Sequence, residues 1–123
     1  MDAELKGGHK MITRVWHGKT KKEHAEEYMQ YVIRTGVVGY RRTPGNMGVQ
    51  IWQKDEGEFT HIYTVTLWKD LEAIKGFAGA DIEKARYYPE DKKYLVEFEQ
   101  NVTHYRARAF VDPGVNQLWR ITM

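Results

Sequence analysis

The sequence contains no cysteine among its 123 residues. This absence excludes disulfide bonds, thiolate nucleophiles and zinc sites built on cysteine, and it is typical of proteins in a reducing compartment. The sequence also has no apolar run near the roughly 20 residues that span a bilayer, and residues 1–6 lack the apolar stretch of a signal peptide. We therefore expect a cytoplasmic protein that has no membrane partner.

An excess of charge of one sign is also absent, because 19 Lys and Arg residues are offset by 17 Asp and Glu residues. The two signs are mixed along the chain, so no concentrated field for phosphates is evident and no nucleic-acid partner is expected. Glycine-rich nucleotide motifs and a His-Glu-x-x-His motif are absent, and the histidines lack helical metal-ligand spacing. The sequence therefore predicts no metal site and no cofactor.

The length and the 41% hydrophobic content predict one compact domain. Residues 1–9 are polar and contain two glycines, which predicts a flexible N-terminal arm. The domain is expected over residues 10–108. Residues 109–123 form a C-terminal extension that is too apolar for a solvated tail, so we expect it to dock on the domain or on a partner subunit.

Segments rich in β-branched and aromatic residues predict four strands, over residues 11–17, 48–54, 59–68 and 98–110. With a helix after the first strand and another after the third, the order is strand, helix, strand, strand, helix, strand. This order is typical of two split β-α-β units. It predicts an α+β, ferredoxin-like fold with one antiparallel four-stranded sheet and helices on one face.

The first helix is predicted to begin at a capping box formed by Thr20 and Glu23 and to end at Gly36. Residues 37–46 contain glycine and proline and are predicted to form a loop.

Asp70 is expected to cap the second helix, and residues 81–88 are expected to add a helical turn or two.

The third predicted strand carries bulky side chains on both faces, with Tyr63 and Val65 on one face and Ile62 and Trp68 on the other. Two helices cover only one face of a sheet, and a large apolar face left exposed would be sticky in water. The pattern therefore predicts a homodimer that forms through an isologous contact between sheet faces.

Several local strings resemble the antibiotic biosynthesis monooxygenase-like domains of the dimeric α+β barrel superfamily. They are residues 11–18, 44–46, 68–79, 85–91 and 102–105. The resemblance covers about residues 10–108 and implies a dimeric α+β barrel whose pocket lies between helices and sheet. Characterised relatives of this type include haem-degrading monooxygenases and cofactor-free oxygenases of polyphenols or quinols, while others are isomerases, dismutases or proteins of unknown role.

The resemblance also bears on individual residues. The haem degraders use an Asn, a Trp and a His at positions that fall near Trp16, Gly76 and Arg86, so haem degradation is not expected. In the quinol-oxidising relatives a Trp at the end of the third strand lies near the substrate. Trp68 matches that Trp, whereas Thr64 stands where those relatives have an Asn.

Three residues are the catalytic candidates. His104 and Tyr88 are candidates for proton transfer, because imidazole exchanges protons near neutral pH and a phenol donates to a bound oxygen. Arg14 is a candidate for holding an anionic oxygen. The alternatives are a half-buried histidine with a hydrogen-bond partner for His104, packing for Tyr88, and an acidic neighbour for Arg14.

Four residues are the candidates for substrate binding. Trp16 and Trp68 offer flat apolar surfaces on which an aromatic substrate stacks, although core or dimer packing would also explain them. Thr64 is a candidate from its matched position. Asn46 presents an amide in a Pro-Gly-Asn loop, where a turn would also require it.

The leading hypothesis is a cofactor-independent monooxygenase that acts on a small aromatic or quinol-type substrate in a pocket between helices and sheet. An alternative is a non-catalytic, homodimeric protein that binds a small ligand or serves in stress. A third alternative is a structural sheet dimer with a filled cavity.

Overall fold

The computed structural model describes residues 10–110. The predicted arm over residues 1–9 and residues 111–123 of the predicted extension lie outside the described residues.

One antiparallel sheet of four strands forms the centre of the fold, in the order β2-β3-β1-β4. The strands are β1 (Lys10–Lys21), β2 (Asn46–Glu56), β3 (Phe59–Asp70) and β4 (Thr103–Arg106). The two long central strands pair over almost their whole length, and the hairpin of β2 and β3 is antiparallel as predicted.

The helices all belong to the connections between strands. A 3-10 turn (Lys22–His24), α1 (Ala25–Val32), a π-helical turn (Ile33–Val37) and α2 (Val38–Arg42) join β1 to β2. The connection from β3 to β4 holds α3 (Leu71–Ala78) and α4 (Asp91–Tyr94). The element order and the α+β, ferredoxin-like fold are therefore confirmed.

The two faces of the sheet differ in what covers them. In β3 the side chains of Ile62, Thr64 and Trp68 are buried beneath the helices, whereas Tyr63 and Val65 on the opposite face are half-buried. The predicted alternation of β3 is therefore correct. We call the side opposite the helices the open face. Trp52 on this face is 51% exposed, so the open face is accessible to solvent at this position.

Two groups of buried side chains form the core between sheet and helices. One surrounds Trp68 and includes Ile12, Leu71, Ile74 and Phe77. The second group surrounds Trp16 and includes Tyr28, Tyr31, Val32, Ile62 and Leu95. Burying each large side chain contributes roughly 1.5–3 kcal/mol, so these groups fix the helices onto one face of the sheet.

The first strand is longer than predicted, and the predicted capping box is wrong. β1 continues through Gly18 to Lys21, and the Thr20 hydroxyl donates to the Tyr94 carbonyl oxygen at 2.9 Å instead of capping a helix. Gly18 is required here for space, since a Cβ atom would lie 2.4 Å from the ring of Trp16. The glycine therefore marks a close packing contact within the strand.

The first helical segment also continues past its predicted end. Gly36 does not end it, and residues 37–42, which were predicted as part of a loop, are helical. The reason is tertiary packing, because Tyr40 on α2 is buried against Trp68 and Phe77. The turn that leads into β2 is confined to the three residues 43–45.

The second half of the chain gives one confirmed prediction and two corrections. Asp70 caps α3 by accepting a hydrogen bond from the Ala73 backbone N–H at 2.9 Å. Residues 81–88 are not helical, because their backbone bonds to distant segments, as in the bond from Val102 N–H to the Glu83 carbonyl. β4 spans four residues and not the predicted 98–110.

Within residues 10–110 no helix is long and apolar enough to cross a membrane.

Candidate active site

A cleft lies between the first helical segment and the helix-covered face of the sheet. Aromatic, hydroxyl and charged groups dominate its lining, among them Trp16, Tyr28, Tyr40, Thr64, Arg86 and Tyr88. The cavity volume of the cleft is only about 20 Å³. That space holds about one water molecule. Admission of an organic ligand would therefore require the lining to move.

The π-helical turn forms one wall of this cleft through Thr35 and Gly36. Its wider hydrogen-bonding pattern interrupts the regular helix between α1 and α2. Such turns are frequent at functional sites. Gly36 is buried, so the wall at this point is backbone with no side chain projecting from it.

Three of the residues predicted from the sequence meet in the cleft: Trp16, Thr64 and Tyr88. The Thr64 hydroxyl is 2.8 Å from the Tyr40 hydroxyl, which places a hydrogen-bonded pair on the sheet side. The Tyr88 hydroxyl fits against Gly39 of α2, where a Cβ atom would lie 2.7 Å from it. These contacts join the sheet, α2 and the segment after α3 in one site.

The Tyr88 hydroxyl is buried and has no hydrogen-bond partner among the described residues. Burial raises its pKa, and the charge of Arg86 opposes that rise. The phenol is therefore neutral at pH 7 and is free to donate a hydrogen bond. The Trp16 indole N–H also lacks a well-aligned hydrogen bond among the described residues. It lies near the Tyr87 hydroxyl, whose pKa is raised by burial, and its proximity opposes that rise.

Arg14 lies behind the cleft. Its side chain is 2% exposed, and one guanidinium nitrogen donates to the carbonyl of Lys84 at 3.0 Å and to that of Ile82 at 3.4 Å. Its Nε has no partner within the described residues. Burial lowers the pKa of this guanidinium, against the favourable influence of Tyr40. Arg14 therefore attaches the segment before Arg86 to the sheet.

His104 is the strand neighbour of Arg14, since the two are paired between β4 and β1. Burial and, to a smaller extent, the positive charge of Arg14 lower its pKa to about 4, while Glu83 opposes the shift. The imidazole is consequently neutral at pH 7, and its buried Nε2 has no partner among the described residues. It is not among the cleft-lining side chains.

Trp68 and Asn46 do not line the cleft. Trp68 is fully buried behind Tyr40, and its indole N–H donates to the Thr66 hydroxyl at 2.8 Å. Asn46 accepts a hydrogen bond from Arg41 at 2.9 Å beside the bulge that opens β2. These contacts match the core and turn alternatives for the two residues.

Arg86 lines the cleft but was not among the sequence candidates. Its guanidinium lies 4.9 Å from the Phe77 ring centre and 5.3 Å from that of Tyr88, and it donates to the Phe77 carbonyl at 3.0 Å. A cation held against aromatic faces is stabilised there without a carboxylate. A basic residue beside the Tyr87-Tyr88 pair was the signal available in the sequence.

Asp91 and Tyr28 form the second charged part of the cleft, and no sequence pattern pointed to them. The Tyr28 hydroxyl donates to Asp91 at 2.8 Å, and the Tyr88 backbone N–H donates to the other carboxylate oxygen at 2.5 Å. Burial raises the pKa of Asp91, and these two hydrogen bonds oppose the rise. Burial and the neighbouring carboxylate both raise the pKa of Tyr28.

Within residues 10–110 no group of three or more His, Asp or Glu side chains is arranged to hold a metal ion. The cleft instead offers neutral phenols, one cation and one buried carboxylate. Such groups are able to orient a polar aromatic molecule and to stabilise an anion that forms on it.

Comparison with known proteins identifies the family. The family model described as antibiotic biosynthesis monooxygenase matches residues 11–85, more than half of the chain. The chain belongs to the antibiotic biosynthesis monooxygenase family. Among curated proteins none matches the sequence significantly. The match covers Trp16, Tyr40 and Thr64 but ends before Arg86 and Tyr88, so part of the cleft lies beyond it.

Solved structures show the same fold. A conserved protein from Methanosarcina mazei Go1 is 19% identical with a TM-score of 0.59, over 80% of this chain and 94% of that one. A protein of unknown function from Nitrosomonas europaea is 12% identical with a TM-score of 0.56, over 89% and 99%. The Streptomyces coelicolor monooxygenase from the gene ActVA-Orf6, solved with the ligand nanaomycin D, is 12% identical with a TM-score of 0.53, over 86% and 94%. At these identities the likeness to other members of the family concerns the fold alone.

Proposed function

We propose that the protein is a cofactor-independent monooxygenase that oxidises a small aromatic or quinol-type substrate in the cleft. The observation that carries the proposal is the buried, unpartnered Tyr88 hydroxyl beside the Arg86 cation. Membership of the monooxygenase family supports it. The Streptomyces coelicolor monooxygenase of the same fold, solved with the ligand nanaomycin D, supports a small molecule as the ligand.

The proposed chemistry uses electrons from the substrate alone. An activated CH₂ group of a phenolic substrate loses a proton, and the resulting anion transfers one electron to O₂. The two radicals combine to a carbon-bound peroxide, which takes up a proton. Its O–O bond then breaks, so that one oxygen atom stays on carbon as a carbonyl and the other leaves as water with the two substrate hydrogens. The balance is CH₂ + O₂ → C=O + H₂O.

The roles follow from the position of each group. Arg86 stabilises the substrate anion and the peroxide, because a fixed cation in a water-poor site acts on charge that develops there. Tyr88 donates its hydrogen bond to the peroxide oxygen, since its raised pKa keeps the phenol protonated. Trp16 supplies the flat wall. Arg14, His104 and Trp68 act in this proposal by positioning the lining from behind.

Entry of the substrate is proposed to require movement of the π-helical turn, because the cleft as it stands has room for about one water molecule. The residues of this turn that line the cleft, Thr35 and Gly36, lie between two regular helices. Displacement of the turn would open the cleft without breaking the sheet.

Oxygen consumption with a panel of dihydroxy-aromatic compounds tests the proposal. The expected result is consumption above the blank, with one atom of ¹⁸O₂ in the product and one in water. Tyr88→Phe and Arg86→Gln are each expected to lower the rate by about 100-fold. Tyr94→Phe is the matched control, because that hydroxyl donates to Glu27 at an exposed position outside the cleft.

The alternative, a protein that binds a small ligand without turnover, predicts a different outcome. The ligand would be recovered unchanged by mass spectrometry, and Tyr88→Phe would keep its affinity if shape alone mattered. No oxygen consumption with any compound of the panel, together with such binding, would overturn the enzymatic proposal.

We also propose a homodimer through the open face. Trp52 and Tyr105 are 51% and 56% exposed there, and Val15, Val65 and Leu67 are only half-buried. Exposed apolar side chains grouped on one face commonly mark a protein contact. Light scattering at micromolar concentration is expected to give about twice the chain mass of 14.5 kDa. A monomeric mass would contradict the proposal and leave the cleft chemistry untouched.

A further inference from the structure

A line of four titratable side chains crosses the open face of the sheet, on the side opposite the cleft. The Glu99 carboxylate lies 2.6 Å from His17 Nδ1, and His17 Nε2 lies 2.8 Å from His61 Nδ1. His61 Nε2 then lies 3.0 Å from the Glu56 carboxylate. The line joins the connection before β4 to β1, β3 and β2 in turn. We call it the Glu-His-His-Glu line.

The number of hydrogens in this line follows from its geometry. Each ionised carboxylate only accepts, so the ring nitrogen beside it must carry a hydrogen. The contact between His17 and His61 needs one further hydrogen, which gives three on the four ring nitrogens. Two neutral imidazoles carry two hydrogens and two imidazolium ions carry four. We propose that the line is a proton-binding site that holds one shared proton, with one positive charge on the histidine pair.

A bound metal ion would be a rival explanation for paired histidines with outer carboxylates. The two rings, however, lie nearly parallel at 17° with their centres 5.0 Å apart, so His17 Nε2 and His61 Nδ1 point at each other. A metal between two such nitrogens would separate them by about 4 Å, because each bond measures about 2.0–2.1 Å. The observed separation of 2.8 Å fits a hydrogen bond instead.

Burial and surrounding charge explain why the pair would hold one proton and resist a second. The side chains of His17 and His61 are 20% and 16% exposed. Two carboxylates favour the first proton, and the hydrogen bond and charge of His61 lower the pKa of Glu56. Lys19 and Lys54 both lie opposite His61 in the strand registers, and their charges oppose a second proton. Two further titratable groups lie beside the line: the Tyr63 ring is tilted against that of His17 with centres 4.8 Å apart, and Glu97 pairs with Lys19.

The shared proton stabilises one particular contact of the fold. Glu99 belongs to the connection before β4, and its backbone carbonyl also accepts from the Tyr87 hydroxyl. Through Glu99 the proton therefore holds this connection against β1, next to the segment that carries Arg86 and Tyr88. Above the pH range in which histidine side chains titrate, the line would lose the hydrogen bond between His17 and His61. Below that range both rings would be imidazolium ions, which would repel each other.

The consequence for stability has a definite sign. Under this proposal the folded pair keeps one proton above pH of about 6.5, where unfolded histidines have lost theirs, so stability should fall as the pH rises. Below that pH the unfolded chain takes up a second proton that the folded pair resists, so stability falls as the pH falls. His104, with its lowered pKa, contributes only to the acid side. Burial also raises the pKa of Asp91, so this carboxyl group adds to the fall in stability with rising pH, and only a histidine variant isolates the share of the line.

Proton NMR of the histidine rings, in buffer with a chelator, tests the proposal directly. We expect the two rings to titrate together in two steps separated by more than about 1 pH unit. In His61→Gln the remaining His17 should titrate in one step, and the alkaline fall in melting temperature should become smaller than in wild type. His24→Gln is the matched control, because His24 lies outside the line, 3.8 Å from Glu23 and edge-on to the ring of Tyr94.

Two results would overturn the proposal. One is independent titration of the two rings, with steps that coincide. The other is an alkaline fall in melting temperature that is the same in wild type and His61→Gln. If His61→Gln does not fold, Glu99→Gln provides the second variant, and it should lower the pH at which the first proton is lost. None of these measurements depends on the cleft or on a substrate.

Discussion

Replacement of Tyr28 by phenylalanine removes one oxygen atom from the interior of the protein. Tyr28 is fully buried, and its hydroxyl donates at 2.8 Å to Asp91, which is 5% exposed. The substitution keeps the ring and its packing, while the carboxylate keeps only the backbone donor of Tyr88. A hydrogen bond to a charged group contributes about 1.5–3 kcal/mol, so Tyr28→Phe should lower the free energy of unfolding by about 2 kcal/mol at pH 7.

The pH dependence of this loss gives the stricter test. Burial raises the pKa of Asp91, so the folded protein binds a proton more readily than the unfolded chain does. The ionised carboxylate therefore costs stability at pH 7, and this cost is relieved as the pH falls. The hydrogen bond from Tyr28 opposes this rise, so the pKa of Asp91 should be higher in Tyr28→Phe than in wild type. Protonation of Asp91 should therefore remove the cost at a higher pH in the variant. The difference in the free energy of unfolding between wild type and Tyr28→Phe should be largest at pH 7 and should shrink towards pH 4.

Urea unfolding at a series of pH values measures both quantities. Tyr94→Phe is the control, since its hydroxyl donates at 2.8 Å to Glu27 at an exposed position, where the loss should be smaller than for the buried bond. A loss for Tyr28→Phe no larger than that of the control would refute the assignment of a buried charged hydrogen bond. A difference that grows on acidification would refute the sign of the Asp91 shift.

Three further predictions concern packing, the cleft and His104. Ile74→Ala removes a fully buried side chain and should lower the free energy of unfolding by about 2–5 kcal/mol in urea, whereas Ile33→Ala at a 40% exposed position should cost under about 1 kcal/mol. Gly39→Ala places a Cβ atom 2.7 Å from the Tyr88 hydroxyl and should reduce turnover while the melting temperature changes little. An unaltered rate would contradict the role of that contact. The pKa of His104, measured by NMR, should lie at about 4. Its contribution to stability is complete above pH of about 6.5 and is lost as the pH falls towards the folded value, so a pKa near 6.5 would disprove its burial as a neutral ring.

The alternating strand pattern was enough to predict the architecture. β3 carries an apolar or threonine side chain on the helix side at every second position, and this period fixes which residues form the core. The cap at Asp70 was also predictable, because it depends on residues within one turn. Such features depend on residues that lie close together in the sequence.

The predictions that failed depend on partners far away in the chain. Thr20 has the composition of a helix cap, but Tyr94, 74 positions later, accepts its hydroxyl hydrogen bond. Gly36 has the composition of a helix end, yet the burial of Tyr40 continues the helix beyond it. Residues 81–88 are helix-like in pattern but bond to the connection before β4. None of these contacts has a signal within the local sequence.

The site was predictable in part, for a similar reason. Trp16 and Thr64 lie on strand faces whose direction the alternation gives, so their place in the cleft follows from the pattern. Trp68 lies on the same face, but α2 brings Tyr40 in front of it. Arg86 lies on an irregular segment, where no periodicity indicates direction. A residue on irregular backbone is located only once its contacts are known.

The buried polar atoms without partners connect the stability of this fold with the chemistry proposed for it. Tyr88 Oη, His104 Nε2 and Arg14 Nε all lie beneath or within the segment that follows α3, and each unsatisfied buried group costs about 1–3 kcal/mol. A segment selected for stability alone would carry phenylalanine at position 88, because the ring packs and the hydroxyl gains no bond. Tyr88→Phe should therefore leave the protein as stable as wild type or more so, while turnover falls. That opposition between stability and rate is the behaviour of a residue kept for its reaction, and a loss of both together would assign Tyr88 to the core instead.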